Sequence, residues 1–107
     1  MAKYHAIRTT VDGITFASKR EAARYQELRL LEKAGEIRSL GIQMKYSLDV
    51  NGQHICNYIS DFTYHDYSGE SGCVKFVVED VKGVKTPVYK LKKKLMKAIY
   101  NIDIYET

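Results

Sequence analysis

The chain contains little cysteine and proline and has no long apolar run. Its 107 residues include two Cys and one Pro, and no apolar stretch approaches the roughly 18 residues that read as a membrane-spanning helix. The N-terminus also lacks the apolar segment of a signal peptide, so we expect a protein that stays in the cell that makes it. Cys56 and Cys73 form no C-x-x-C pair, which predicts two reduced, buried thiols rather than a disulfide.

Several functional motifs and several kinds of segment are also missing. The sequence has no Gly-rich phosphate-binding loop, which argues against an NTPase or a dinucleotide-dependent enzyme. His5, His54 and His65 lack the spacing of zinc ligands and are interpreted as ordinary polar residues. Without repeats, linkers or low-complexity segments, residues 1–107 are predicted to form one domain. Its first 17 residues would be a basic lead with a small hairpin.

The composition that is present is that of a soluble globular protein. Hydrophobic residues make up 45% of the chain and charged residues 28%. Seventeen Lys and Arg residues against thirteen Asp and Glu residues give a formal net charge of +4. This moderate basic bias suits a polyanionic partner such as DNA, although charge alone does not identify one.

Capping signals predict two helices. Ser18 and Glu21 have the spacing of a capping box, in which the serine caps the glutamate amide and the glutamate reaches back to the serine amide. That helix should run to Ala34 and stop at Gly35, a typical C′ residue. Thr86-Pro87 supplies an N-cap and a first helical position for a second helix that ends near Tyr100.

Turn signals and apolar runs predict the strands between and after these helices. Asp12-Gly13 and Asn51-Gly52 are hairpin turns. We predict strands over about 42–50 and 54–64, a third running from Cys73 towards Lys82, and a short last strand over 102–105. The expected fold is therefore α+β, with a mixed four-stranded central sheet flanked by helices in the order αβββαβ.

The third predicted strand carries an acid and a lysine on one face. Side chains alternate across a strand, so Val78, Asp80 and Lys82 share a face with Val74 and Phe76, and Glu79 points to the opposite side. A turn centred between Glu70 and Ser71 would place Asp61 directly opposite Asp80. Both placements are counted from the sequence of residues 61–82.

Two facing carboxylates need a compensating interaction. Cross-strand neighbours lie roughly 4.5–5.5 Å apart, and like charges there repel. A divalent cation held by oxygen ligands would offset the repulsion between Asp61 and Asp80. The alternatives are a shared proton, a register shifted by one or two residues, or a strand end that frays into water.

The first predicted helix supplies two candidate acids. Glu21 is explained by the capping box without any chemistry. Glu27 is a rival ligand because helical spacing places it among apolar residues, where an acid needs a partner or a metal; its alternative is a salt bridge to Arg24 or Lys33. The apolar residues of that face are Ala23, Leu30, Leu31 and Ala34. Gln43 would either orient a ligand or hydrogen-bond the backbone.

The second predicted helix is amphipathic, with a basic face. The apolar face comprises Val88, Leu91, Leu95, Ala98 and Ile99, and the basic face Lys90, Lys93, Lys94 and Lys97. Like charges three and four residues apart destabilise a helix unless a polyanion meets them. With Lys85 and Tyr89, the lysines are the predicted DNA-binding residues. The alternative is a solvated face that aids solubility.

The acidic pair and its spacing resemble a known superfamily. Asp61, followed after eighteen residues by Asp80-Val81-Lys82, in a chain whose first helix opens with Glu21, resembles the PD-(D/E)XK nucleases. Three stretches are similar to a small family of phage-encoded proteins placed in that superfamily, some of them suspected junction or recombination nucleases. These stretches are Ser-Lys-Arg-Glu-Ala at 18–22, Tyr-Ile-Ser-Asp-Phe at 58–62 and Glu-Asp-Val-Lys-Gly at 79–83.

The resemblance implies a restriction-endonuclease-like fold with a Mg²⁺ or Mn²⁺ site. Asp61, Asp80 and the Val81 carbonyl would be direct metal ligands, and Glu21 would bind the metal directly or through water. Lys82 would lie near the attacking water and stabilise charge that develops on the phosphate. Such a metal would generate hydroxide from a bound water and neutralise the negative charge of the pentacovalent transition state.

The resulting expectation is a metal-dependent endodeoxyribonuclease that acts on branched or double-stranded DNA, in the manner of a Holliday-junction resolvase. It would work in the cytoplasm of a phage-infected or prophage-carrying bacterium. One domain of this size offers one active site, so symmetrical cleavage of two strands would require a homodimer. The alternatives are a non-catalytic DNA-binding or accessory module with the same fold, and an RNA-directed nuclease.

Overall fold

The computed structural model describes residues 7–69, 72–81 and 84–107. Its helices and strands are β1 (Thr9–Val11), β2 (Ile14–Phe16), α1 (Lys19–Lys33), β3 (Ile37–Ile42), β4 (Lys45–Val50), β5 (Gln53–Ile59), β6 (Phe62–Asp66), β7 (Lys75–Asp80), α2 (Pro87–Tyr100) and β8 (Tyr105–Glu106).

Both helices begin and end where their caps predict. The Ser18 hydroxyl accepts a hydrogen bond from the Glu21 amide at 3.1 Å, and Gly35 follows α1 with a φ of +80°, a left-handed conformation that suits glycine. The Thr86 hydroxyl caps α2 in the same way by accepting from the Tyr89 amide at 3.1 Å. These local interactions confirm the predicted helix boundaries to within about one residue.

The core of the fold is a mixed four-stranded sheet with the strand order β3-β6-β7-β8. β3, β6 and β7 are antiparallel neighbours, and β8 pairs with β7 in parallel. The chain is thus an α+β protein with a mixed sheet and two helices, as predicted. The two short turns are also confirmed, since β1–β2 and β4–β5 are hairpins whose turn residues have positive φ at Asp12-Gly13 and Asn51-Gly52.

Each face of the sheet has its own apolar cluster. On one face, Phe62 and Tyr64 of β6 pack with Ala22, Tyr25 and Leu28 of α1. On the other face, Val78 of β7 packs with buried residues of the β4–β5 hairpin, of α2 and of the segment before β8, namely Leu48, Tyr58, Tyr89, Met96 and Ile104. Because side chains alternate along β6 and β7, the two helices lie on opposite faces.

The predicted strands over 42–50 and 54–64 are each interrupted. The first prediction missed β3, and the bend between β3 and β4 falls at Gln43, which has a positive φ of 54°. Opposite this bend, Ser60 and Asp61 separate β5 from β6. Hydrogen bonds from Gln43 N to Asp61 O (3.1 Å) and from Ser60 N to Met44 O (2.9 Å) cross it. The two strand pairs are therefore one long bent hairpin, with Asp61 at the bend.

β7 begins later than predicted. It starts at Lys75, so Cys73 and Val74 precede it. On the face that these residues were predicted to share, Val74 and Phe76 are each 48% exposed, whereas Val78 and Asp80 are buried. Both cysteines are free, but Cys56 is only half-buried and Cys73 is exposed, so the prediction of buried thiols was wrong.

The predicted inner face of α1 is also wrong. Glu21, Ala22, Tyr25 and Leu28 are the buried residues of this helix, whereas Leu30 is 67% exposed. Apolar residues occur on every side of α1, so spacing alone does not select one face. Packing against Phe16, Ile37 and β6 selects the side that carries Glu21.

The inner face of α2 is rotated from the predicted one by roughly one residue, or about 100°. Tyr89 and Met96 are buried, whereas Val88 and Leu91 are 61% and 56% exposed. The β4–β5 hairpin and β7 contact the helix from the Tyr89 side and leave part of its apolar stripe uncovered.

Within the described ranges, neither helix is long and apolar enough to cross a membrane.

Candidate functional site at the ends of strands β6 and β7

The predicted register of β6 and β7 is confirmed. Phe62 pairs with Glu79 and Thr63 with Val78, and the same register carries Asp61 to the position beside Asp80. The Asp61 amide donates to the Glu79 carbonyl at 3.1 Å, and the Val81 amide donates to Asp61 Oδ2 at 2.7 Å. The two acids therefore occupy the ends of adjacent strands, and a backbone-to-carboxylate hydrogen bond joins these ends.

Asp80 is held by a tyrosine that the sequence analysis did not identify. The Tyr58 hydroxyl donates to Asp80 Oδ2 at 2.6 Å, and the two residues are only 3% and 2% exposed. Burial, followed by the nearby Asp80 charge, raises the pKa of Tyr58 well above its usual range. The phenol therefore stays protonated and donates to the carboxylate. Only the bend at Ser60-Asp61 brings Tyr58 to Asp80, and no sequence signal predicts that contact.

Asp80 lines a cleft of about 260 Å³ between β5 and α2. Tyr58 and Tyr89 are buried beside it, while Ile59 and Val88 are exposed. The remaining lining residues are Asn57, Thr86 and the half-buried Lys92. Lys92 was also absent from the predicted site, because it belongs to neither the apolar face nor the basic face predicted for α2.

Glu79 is adjacent to Asp80 but belongs to the other face of the sheet. Its carboxylate is fully buried and accepts from Arg24 through Nε at 2.7 Å and Nη2 at 2.9 Å. The Tyr64 and Thr107 hydroxyls also donate to it, at 2.7 and 3.1 Å. The Glu79 contact is the main cause that raises the pKa of Arg24. Four donor groups thus satisfy the Glu79 carboxylate within the protein. This agrees with the prediction that Asp80, and not Glu79, is the candidate metal ligand.

The two candidate acids on α1 have different environments. Glu21 is 3% exposed, and its Oε2 accepts from the Ala17 amide at 3.1 Å, one residue before the serine amide that the capping box predicts. Glu27 has a side chain that is 64% exposed and pairs with Arg24 at 2.9 Å. Its predicted apolar environment was wrong, and the predicted salt bridge to Arg24 is present.

The donor set fits a hard divalent cation by its chemistry. Asp61 and Asp80 offer carboxylates and Val81 a carbonyl, which are the oxygen donors that Mg²⁺ and Mn²⁺ prefer. Glu21 lies on the α1 face that packs with Phe62 and Val81, the residues that follow the two aspartates. In the part of the chain that the structure describes, no three His, Cys, Asp or Glu side chains form a group that could hold a metal ion. The fit therefore rests on donor type and adjacency. Lys82, the predicted catalytic lysine, lies outside the described residues.

Four of the six predicted DNA-binding residues have protein partners, and three of these contact Glu106. The buried Tyr89 donates its hydroxyl to Glu106 Oε2 at 2.6 Å, and Lys85 and Lys93 each approach Glu106 Oε1 at 3.2 Å. The Tyr89 hydrogen bond, with a smaller effect of Lys93 and Lys85, lowers the pKa of Glu106 to about 2. Tyr89 is thus engaged with Glu106, in contrast to its predicted availability to phosphate.

The other three predicted DNA-binding lysines are exposed. Lys97 pairs with Asp103 at 2.9 Å, while Lys90 and Lys94 lie on the exposed side of α2. The predicted stripe therefore divides into two lysines paired with acids near the C-terminus of the chain and two that face solvent.

The remaining polar candidates make ordinary contacts. Gln43 Nε2 donates to the Thr15 carbonyl at 3.3 Å, so it has the backbone role of its two predicted alternatives. His54 pairs with the exposed Asp49 at 2.7 Å, and His65 packs on the Phe76 ring with centroids 5.1 Å apart. His5 lies outside the described residues.

Comparison with known proteins identifies one family. Neither the curated proteins nor the solved structures include a significant match to this chain. A family model with the description "Protein of unknown function (DUF1064)" matches residues 1–105. Because that match covers nearly the whole sequence, the chain belongs to the DUF1064 family.

Proposed function

We propose that the protein is a Mg²⁺- or Mn²⁺-dependent endodeoxyribonuclease that hydrolyses phosphodiester bonds in branched or double-stranded DNA. The observation that carries the proposal is the pair of acids at the ends of β6 and β7, where the predicted register is present and Asp61 accepts from the Val81 amide. Asp80 is buried and Asp61 is half-buried; acids withdrawn from water next to an apolar core are costly for stability and are typical of reactive sites. The resemblance to PD-(D/E)XK nucleases supports the same reaction.

The residues of the site would have distinct roles in hydrolysis. Asp61, Asp80 and the Val81 carbonyl would hold the metal, with Glu21 as a direct or water-mediated ligand. When bound, the metal would lower the pKa of a coordinated water and neutralise charge on the phosphate. Tyr58 orients Asp80, and the Val81 amide orients Asp61. Lys82 would stabilise developing charge near the attacking water, a role that rests on the resemblance.

The wider setting is part of the same proposal. The substrate would be DNA processed during recombination in a phage-infected or prophage-carrying bacterial cytoplasm, and Lys90 and Lys94 would contact its phosphates. Symmetrical cleavage of a junction would require a two-fold homodimer. If the protein sediments as a monomer both alone and when bound to a junction, it can cleave only one strand at a time.

The test is a cleavage assay with isosteric variants. Supercoiled plasmid, a four-way junction and a single-stranded RNA are each incubated with Mg²⁺, Mn²⁺ or EDTA. Wild-type protein should cleave DNA with metal and not with EDTA, and Asp61→Asn and Asp80→Asn should lose on the order of 10³-fold or more in rate while staying folded, because each removes a ligand charge. Glu36→Gln, which removes an exposed carboxylate after α1, is the control. Cleavage at the wild-type rate by folded Asp80→Asn protein would contradict the proposal. Cleavage of the RNA and of neither DNA would show that the substrate is RNA.

Glu21→Gln separates the cap from the ligand in the same assay. Glutamine still accepts the Ala17 amide, so the free energy of unfolding should fall by well under about 1 kcal/mol. The lost charge should reduce the cleavage rate sharply if Glu21 serves the metal. Normal cleavage by Glu21→Gln together with inactive Glu27→Gln would move the site to the other face of α1.

The second candidate function is a non-catalytic DNA-binding module with the same fold. The observation that favours it is that the protein itself stabilises both acids, through the Val81 amide and the Tyr58 hydroxyl. Metal-independent binding of the junction without cleavage under any condition would support this alternative.

A further inference from the structure

The cleft that contains Asp80 combines an acidic residue with a basic one. Asp80 is almost completely buried beside Tyr58, whereas Lys92 lines the same cleft from α2 and is half-buried. Asn57 and Thr86 also line this cleft. A ligand of the cleft therefore meets an ammonium group close to a carboxylate.

Lys92 differs from the other lysines of α2. Lys93 and Lys97 form ion pairs with Glu106 and Asp103, and Lys90 and Lys94 lie on the exposed side of the helix. Successive residues turn by about 100°, so Lys92 and Lys94 project about 160° apart. Among the residues whose placement is described, Lys92 has no ion-pair partner, and no other lysine or arginine lines this cleft.

The chemistry of the cleft matches a phosphodiester. A phosphate accepts hydrogen bonds from an ammonium group, which Lys92 supplies. An anion next to the Asp80 carboxylate requires a cation between them, and that is the role of the proposed metal. Ile59 and Val88 are exposed where they line the cleft, so apolar surface is available to sugar and base.

We propose that Lys92 binds a phosphate of the substrate strand inside the Asp80 cleft and is, among the lysines of α2, the principal contact close to the site. This inference rests on the proposed nuclease function for its substrate class, DNA. The solvent-facing Lys90 and Lys94 would then provide more distant contacts, which depend more strongly on salt.

The test compares single lysine variants in a binding assay that needs no catalysis. Lys92→Gln, Lys94→Gln and Lys33→Gln each remove one positive charge, and Lys33 lies in the last turn of α1, outside the proposed site. Binding of a fluorescent four-way DNA junction is measured with Ca²⁺ and with EDTA. Lys92→Gln should weaken binding with Ca²⁺ by on the order of tenfold, Lys94→Gln by about twofold, and Lys33→Gln should match wild type.

Two further measurements exclude a purely structural role for Lys92. Lys92→Arg keeps the charge and should recover most of the affinity, and the Tm of Lys92→Gln should equal that of wild type. In cleavage assays with active wild-type protein, Lys92→Gln should raise KM more than it lowers kcat. A loss of affinity in Lys92→Gln no greater than in Lys94→Gln would overturn the inference.

The assay distinguishes failure of this inference from failure of the proposed function. If wild-type protein cleaves DNA and Lys92→Gln binds and cleaves like wild type, the Lys92 contact is wrong and the nuclease remains. If wild-type protein cleaves nothing with any metal but Lys92→Gln still loses affinity selectively, the phosphate contact stands without hydrolysis.

Discussion

Glu79 and Asp80 are consecutive buried acids with different surroundings. Glu79 receives four hydrogen bonds from Arg24, Tyr64 and Thr107 on the α1 face. Asp80 faces the β4–β5 hairpin and lines the cleft with Lys92. Alternation along β7 separates a structural carboxylate from a candidate reactive one within two residues.

Tyr58→Phe tests whether Tyr58 orients Asp80. Removal of the hydroxyl leaves a buried carboxylate with one donor fewer, so the free energy of unfolding in EDTA should fall by roughly 1.5–3 kcal/mol. Under the proposed metal site, Mn²⁺ affinity measured by calorimetry should also fall by about tenfold or more, which is the effect expected when a residue that orients a metal ligand is removed.

Tyr46→Phe is the matched control, because Tyr46 stacks on Tyr58 at a centroid distance of 6.4 Å. It should change Mn²⁺ affinity little. Equal effects of the two variants on stability and Mn²⁺ affinity would show that loss of any hydroxyl from this aromatic pair, and not loss of the hydrogen bond to Asp80, is responsible.

At the scale of elements, one ion pair joins α1 to the sheet. Arg24 of α1 reaches Glu79 of β7, 55 positions along the chain, with two hydrogen bonds. The same arginine also contacts Glu27 on its own helix. The first contact is buried on the Glu79 side and the second is largely exposed, so their energies should differ widely.

Arg24→Met should destabilise the protein by roughly 3–5 kcal/mol, because it leaves the Glu79 carboxylate buried without its charge partner. Glu27→Gln should cost less than about 1 kcal/mol, because an exposed pair contributes little. Urea unfolding of both variants measures the difference. A small and equal effect of the two would mean that Glu79 is adequately satisfied by Tyr64 and Thr107.

A second polar cluster joins β8 to α2, and its stability should depend on pH. Contacts with Tyr89, Lys93 and Lys85 lower the Glu106 pKa from 4.5 to about 2. A carboxylate whose pKa is lowered by folding stabilises the protein at pH values above its unfolded-state pKa. This stabilisation is lost as the pH falls through the folded-state pKa. Glu106→Gln should thus destabilise the protein near neutral pH by roughly 1.5–3 kcal/mol.

The difference between Glu106→Gln and wild type should shrink as pH falls from 4.5 towards 2. Chemical unfolding at neutral and acidic pH measures it. Asp103→Asn is the control, because the Asp103 side chain is 82% exposed beside Lys97 and should change stability little. A difference independent of pH would contradict a lowered Glu106 pKa.

At the scale of the whole molecule, the +4 net charge is not uniformly available to a polyanion. Lys85, Lys93 and Lys97 are engaged with Glu106 or Asp103. Lys90 and Lys94 face solvent. The basic surface that DNA would meet is therefore smaller than the lysine content of α2 suggests.

Paired and solvent-facing lysines should differ in the salt dependence of DNA binding. Lys90→Gln/Lys94→Gln should reduce the slope of log affinity against log salt by about 2 on duplex DNA, at about 0.9 per phosphate contact. Lys93→Gln/Lys97→Gln should reduce it less and lower stability slightly, since it breaks two ion pairs. Titrations at several salt concentrations measure both slopes, and equal slopes would indicate that DNA displaces the acidic partners.

Local chemistry in the sequence determined the helix boundaries, the hairpin turns and the pairing of β6 with β7. A capping residue, a positive-φ turn or a hairpin register involves residues that are neighbours along the chain or follow from a turn between them, so each can be predicted without the rest of the fold. For that reason the proximity of Asp61 and Asp80 was predictable.

Only the tertiary structure decided which helix faces are buried, where the long hairpin bends and which groups surround Asp80. α1 has apolar residues on every side and α2 has a wide apolar arc, so the packing partners select the face. Tyr58 reaches Asp80 only because the chain bends at Asp61, and Lys92 enters the cleft only because α2 is rotated by about 100° from its amphipathic prediction. These contacts join residues distant in sequence, where local patterns carry no information about distance.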